Sequence, residues 1–122
     1  MVFLMLFAND YSYENHGMKL SQALSGRHDK FLTILLAHQP WAAHQALKEY
    51  QDIDLILSGH THGGQFFPMH IPIYFYNPFF SGLYKDKDTF VYVSSGTYFY
   101  SVPLRIGSTP EITIVTLTRA EQ

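Results

Sequence analysis

The 122-residue sequence predicts an α/β domain, and three observations predict it. Two continuous apolar runs, FLTILLA at residues 31–37 and IDLIL at residues 53–57, have the length and branching of strands buried on both faces. The stretch between them, WAAHQALKEY, repeats its apolar positions at helical spacing. Strand, helix, strand is the order that a parallel crossover requires, and in such a unit both strands end on the same edge of the sheet.

Each element follows from its own stretch of chain. The opening MVFLMLF is apolar for only seven residues before Ala8, Asn9 and Asp10. That is far short of the ~20 needed to span a bilayer, and it lacks the basic start and small-residue cleavage site of a signal peptide. Residues 2–7 are therefore read as a strand. Residues 18–24 form a short helix stopped by Gly26, where a positive φ carries no Cβ penalty. The strand at 31–37 runs directly into His38, Gln39 and Pro40. Pro40 is well placed to open the helix at 41–50, whose Ala43, Ala46, Leu47 and Tyr50 share a face. The strand at 53–57 leads into Gly59, His60, Thr61 and His62. Beyond Pro68 the chain turns to aromatic residues, Pro and Gly in MHIPIYFYNPFFSGLY, which reads as loop and short strand. Strands resume at residues 90–94 and 111–117, with a turn at Ser95 and Gly96 between them. No repeat, linker or low-complexity tract divides the chain, so residues 1–122 count as one domain.

Composition narrows the function. Charged residues make up 15% of the chain, against nearer ~25% in a typical soluble domain. The low share suits either a compact aromatic-rich domain or a piece of a larger fold with an apolar face to cover. A net charge of −2, with Lys and Arg spread evenly, leaves no basic stripe to follow a phosphate backbone, so no nucleic-acid partner is expected. The absence of cysteine excludes disulfides and thiolate ligands. Any metal site must use His, carboxylate, amide or water.

Seven histidines are candidates: His16, His28, His38, His44, His60, His62 and His70. A lone histidine is more often packed or solvated than ligating. His28 among Arg27, Asp29 and Lys30, His44 at the edge of the helix, and His70 between Met69 and Ile71 are read that way, as is His16 in its polar loop. His60 and His62 differ, because residues i and i+2 of an extended stretch point the same way and can share one small site. His38 follows the other strand of the same crossover, and ligands of open α/β sheets collect beyond carboxyl ends of strands. The expected metal ligands are therefore His38, His60 and His62, since imidazole suits zinc, iron and manganese.

The segment Gly59-His60-Thr61-His62, preceded by the strand-end histidine of LLAHQP, resembles the last two metal-binding motifs of the calcineurin-like metallophosphoesterases. LSGHTHGGQ, NPFFSGLY, VYVSSGT and VPLRIGSTPEIT extend the resemblance over residues 31–117. It implies the C-terminal portion of a β-sandwich flanked by helices, and a phosphoester substrate. It also implies two divalent ions of the Mn, Fe or Zn class, His38 and His60 on one and His62 on the other, with Thr61 a spacer and Gly63 and Gly64 keeping the loop near the ions. No catalytic residue is assigned. The family's earlier motifs, Asp-x-His, Gly-Asp and Gly-Asn-His-Glu/Asp, are not intact in the thirty residues before Phe31. The expectation is thus an incomplete domain holding about half a site, binding one ion weakly at most, with membrane attachment only through segments upstream. A non-catalytic binding or scaffold remnant is the rival from another class. An intact small enzyme with three histidines on one zinc is the third reading.

Overall fold

The structure is a computed structural model and describes residues 4–8, 19–27 and 30–118. In chain order the elements are β1 (Leu4–Ala8), α1 (Leu20–Ala23), β2 (Thr33–Ala37), α2 (Pro40–Glu49), β3 (Leu55–Ser58), a 3₁₀ turn (His62–Gly64), α3 (His70–Tyr76), β4 (Gly82–Asp86) and β5 (Thr89–Val93). They make the α/β architecture expected, on one five-stranded sheet of order β1-β2-β3-β5-β4.

β2 and β3 are neighbours and parallel, with Ile34 opposite Leu55 and Leu36 opposite Leu57, and α2 connects them. β1 and β5 are parallel to them on either side, and β4 closes the sheet antiparallel to β5. Gln39 is extended, as the residue before a proline prefers, so β2 ends and α2 begins within three residues. Pro40 is the first helical residue, where a missing N–H costs nothing.

The core lies on one face of the sheet. Leu35 and Ala37 of β2, Ile56 of β3, and Val91 and Val93 of β5 alternate inward. Against them pack Ala42, Ala43 and Ala46 of α2, and Leu20 and Leu24 of the α1 turn. Each fully buried Leu or Ile contributes about 1.5–3 kcal/mol relative to exposure. The alternate residues form the other face, where Ile34 and Leu55 are buried and Leu36 and Leu57 half-buried, while Phe90 and Leu83 at its β5-β4 side are 41% and 65% exposed.

Three expectations are corrected. Residues 70–76 form helix α3, not a loop, because Pro72 falls in its first turn, where a helix tolerates proline. Residues 111–117 form no strand: Ile112 and Ile114 alternate but stand 86% and 87% exposed, and β-branched residues do not make a strand without a partner to pair with. The helix expected at 18–24 shrinks to Leu20–Ala23, Met18 lying outside the described residues.

Candidate metal centre

Backbone hydrogen bonds lace the strand ends that carry the histidines. The His38 carbonyl accepts from Gly59 N–H at 3.0 Å and from Ser58 Oγ at 3.2 Å, and Ser58 O accepts from Ser94 N–H at 2.8 Å. The carboxyl ends of β2, β3 and β5 are thereby fixed relative to one another. His38 Nε2 and His60 Nδ1 meet across the first of these junctions at 3.0 Å, their rings nearly perpendicular.

After Gly59 the chain is not extended. His60, His62, Gly63, Gly64 and Gln65 all have φ between 47° and 74°, the left-handed region in which non-glycine residues are uncommon. The extended stretch on which the His60/His62 pairing was expected is therefore a tight coil, and its two imidazoles face different partners. His60 faces His38. His62 Nδ1 stands 3.3 Å from Arg105 Nη2, and Ser108 Oγ donates to the His62 carbonyl at 2.7 Å. His62 still lies within electrostatic reach of His60. Burial first, then the charges of His38 and His62, hold the His60 ring below its ordinary proton affinity.

The coil is held on both flanks by side chains that were not expected to hold it. Thr61, expected as a spacer, is buried and donates from Oγ1 to Phe80 O at 2.7 Å. Buried Gln65 donates from Nε2 to Tyr100 O and Val102 O and accepts from Tyr100 N–H, tying the coil to the 98–106 segment. Arg105 lies within VPLRIGSTPEI, but a single arginine in a loop sequence carries no signal of what it will reach.

The other described histidines, His44 and His70, have other neighbours. His44 packs edge-on between Trp41 and Phe79. His70, at the start of α3, lies against Gly64 and Gly107. His16 and His28, like Asp10, lie outside the described residues.

Two imidazole nitrogens sharing one ion, each about 2.0–2.1 Å from it, stand ~3 Å apart when the angle at the metal is near a right angle. The His38–His60 separation of 3.0 Å fits that, as it also fits a hydrogen bond between two neutral rings. His62 does not fit as it stands. A guanidinium only donates, so Nδ1 of His62 accepts, and in its neutral form the ring carries its proton on Nε2, leaving no free lone pair. Among the described residues no group of three or more His, Cys, Asp or Glu side chains is arranged to hold an ion.

The sequence matches known proteins over most of its length. It belongs with the metallophosphoesterases, to whose C-terminal part it corresponds. The transmembrane protein with metallophosphoesterase domain of Bos taurus is 54% identical over 114 residues, 93% of this chain and 26% of that protein. Its namesake in Danio rerio is 51% identical over 109 residues, 88% of this chain and 25% of its own length. A putative metallophosphoesterase of Caenorhabditis elegans is 40% identical over 119 residues, 93% of this chain and 25% of its own length. The chain thus spans about a quarter of the length of these relatives. No family model and no solved structure matches it.

Proposed function

We propose that this chain supplies the histidine side of a divalent-metal centre for phosphoester hydrolysis, with His38 and His60 holding one ion and His62 reaching a second only once its Nδ1 is released from Arg105. The observation that carries the reading is the 3.0 Å approach of His38 Nε2 and His60 Nδ1 across the ends of adjacent parallel strands. Imidazole pairs of this kind suit ions of the Mn, Fe or Zn class. Such ions supply polarisation of the phosphoryl oxygen and a more acidic bound water. The chain's own part is to aim and to stay deprotonated. The laced strand ends fix the His38 backbone, the left-handed turn at His60 swings its Nδ1 toward the same point, and the lowered proton affinity of His60 keeps a lone pair available near neutral pH.

A two-ion centre also needs carboxylates to offset the charge and fix the spacing of the ions. None of the described carboxylates joins the histidine pair in such a group. The 122-residue chain alone is therefore expected to bind one ion weakly and to turn over little phosphoester. Two of its relatives are named as transmembrane proteins. Among the described residues no helix is long and apolar enough to cross a bilayer, so attachment of that kind would use other residues.

Calorimetric titration of the chain with Mn²⁺ or Zn²⁺, alongside hydrolysis of an aryl phosphate, tests the reading. Binding that is lost in His60→Ala, with slow or absent turnover, is the expected result. Equal affinity in the wild-type chain and in His60→Ala would remove the site. Brisk turnover lost in the same variant would show that the carboxylates are dispensable.

A further inference from the structure

His62 is gripped at both ends by one small network. Ser108 Oγ donates to its carbonyl, Arg105 Nη2 donates toward its ring Nδ1, and Arg105 Nη1 donates to Ser108 Oγ at 3.1 Å, closing a triangle. The same guanidinium donates from Nη2 to Ser95 O at 2.7 Å and to Tyr98 O, from Nε to Tyr98 O at 3.1 Å and from Nη1 to Thr109 O at 3.3 Å, so that His62 Nδ1 is a third and longer partner of the Nη2 group. All of these acceptors are neutral, and among the described residues no carboxylate forms an ion pair with Arg105. The cation is therefore not an ion-pair anchor. It ties the end of β5 and the 105–109 loop to one imidazole. His62 has a φ of 50°, a conformation that costs a non-glycine residue energy and persists only where the surroundings over-determine it. Arg105 and Ser108 do so.

We propose that Arg105 is a positioning residue for His62, directing the ring and selecting its tautomer. Because the guanidinium can only donate, it keeps the Nδ1 lone pair turned toward itself and leaves the proton on Nε2. In the metal-free chain His62 then carries its proton on Nε2, and a cation seeking Nδ1 must displace the guanidinium. The inference concerns the same site as the proposed function and rests on that reading only for its relevance to catalysis. Its test uses no metal, so the two can fail separately.

The measurement is long-range ¹H–¹⁵N correlation of the histidine rings in the full chain, metal-free, at a pH where the rings are neutral. Wild-type His62 should be protonated at Nε2 with about a two- to tenfold greater preference than an unconstrained neutral imidazole, the size of one ordinary hydrogen bond. Arg105→Met should bring the ratio toward that of an unconstrained imidazole while leaving the His60 ring signals unchanged. Arg105→Lys, which keeps a cationic donor, should restore part of the preference, a rescue that a purely structural role would not give. A wild-type His62 protonated at Nδ1 overturns the proposal by itself, even if both variants fail to fold. An unchanged ratio in a folded Arg105→Met chain overturns it as well.

Discussion

The two glycines after His62 answer to different neighbours. A Cβ on Gly63 would meet the Oγ atoms of Ser108 and Ser95 at 2.7 and 2.8 Å, and those hydroxyls can swing aside. A Cβ on Gly64 would meet the His70 Cα at 2.7 Å, and a helix backbone cannot. Both positions have positive φ, so both alanine variants are strained. Urea denaturation should find Gly64→Ala destabilised by roughly 1–3 kcal/mol, and by more than Gly63→Ala; the reverse order would mean that α3 yields to the loop. His60 sets a pH dependence. Its folded proton affinity lies below the ordinary value, through burial first and then its histidine neighbours, so the unfolded chain binds the proton more readily. Its contribution is complete above about pH 6.5, the unfolded value, and is lost as pH falls from there toward the folded value. The ring keeps an exposed face, so solvent screening keeps the effect small. A midpoint that declines over that window in wild type but less in His60→Gln would bear it out. Glu111 contributes lower on the scale. Burial alone would raise its pKa, but hydrogen bonds from Ser95 N–H and from the Tyr92, Ser94 and Thr113 side chains outweigh that and hold it below its usual value. Its contribution is present above the unfolded carboxylate range and fades as pH drops through the folded pKa. Glu111→Gln should flatten the acid limb of a stability profile.

The elements divide by how much of their stability is local and how much comes from a partner. β2, α2 and β3 were legible because one kind of signal sufficed for each: TILLA and LILS are apolar on both faces, and Ala42, Ala43 and Ala46 mark one side of a helix. The site was legible to the same depth. His38 and His60 sit at strand ends that periodicity alone could place, and they meet. The coil from His60 to Gln65 was not, since a run of left-handed residues is set by tertiary bonds to Phe80, Tyr100 and Ser108 that leave no local pattern. α3 was missed because HIPIYFY has no polar face and no buried residue to give a helical period. Residues 111–117 failed in the opposite way, having the alternation of a strand without the pairing. Substitutions separate the two kinds of pattern. Ile56→Ala, at a fully buried position, should cost about 2–5 kcal/mol in denaturant. Ile114→Thr, 87% exposed, should stay within about 0.5 kcal/mol of wild type, and a large loss there would show that residues 111–117 pair after all.

At the scale of the whole molecule, the low charge fraction has a place. Phe90 and Leu83 give the β5-β4 side of the second face an exposed apolar surface, away from α1 and α2, which are gathered on the other side. A hydrophobic dye such as ANS should bind the folded chain, and Phe90→Lys should reduce that binding without lowering stability by more than about 1 kcal/mol; unchanged dye fluorescence would place the exposed surface elsewhere. The strand order carries a consequence in time as well. β2 and β3 pair across a separation of about twenty residues, and β4 and β5 across a tight turn, but β3 reaches β5 only by closing the long excursion that contains His60, His62 and α3. Closing long loops is the slow part of assembling a sheet. During refolding the His38–His60 contact can therefore form with the first unit, whereas Ser95 and Arg105 reach His62 only after the hairpin docks. Pulsed hydrogen exchange would record this order as early protection of Leu57 and Gly59 amides and late protection of Ser94, so that the last event in folding is also the one that fastens the second histidine.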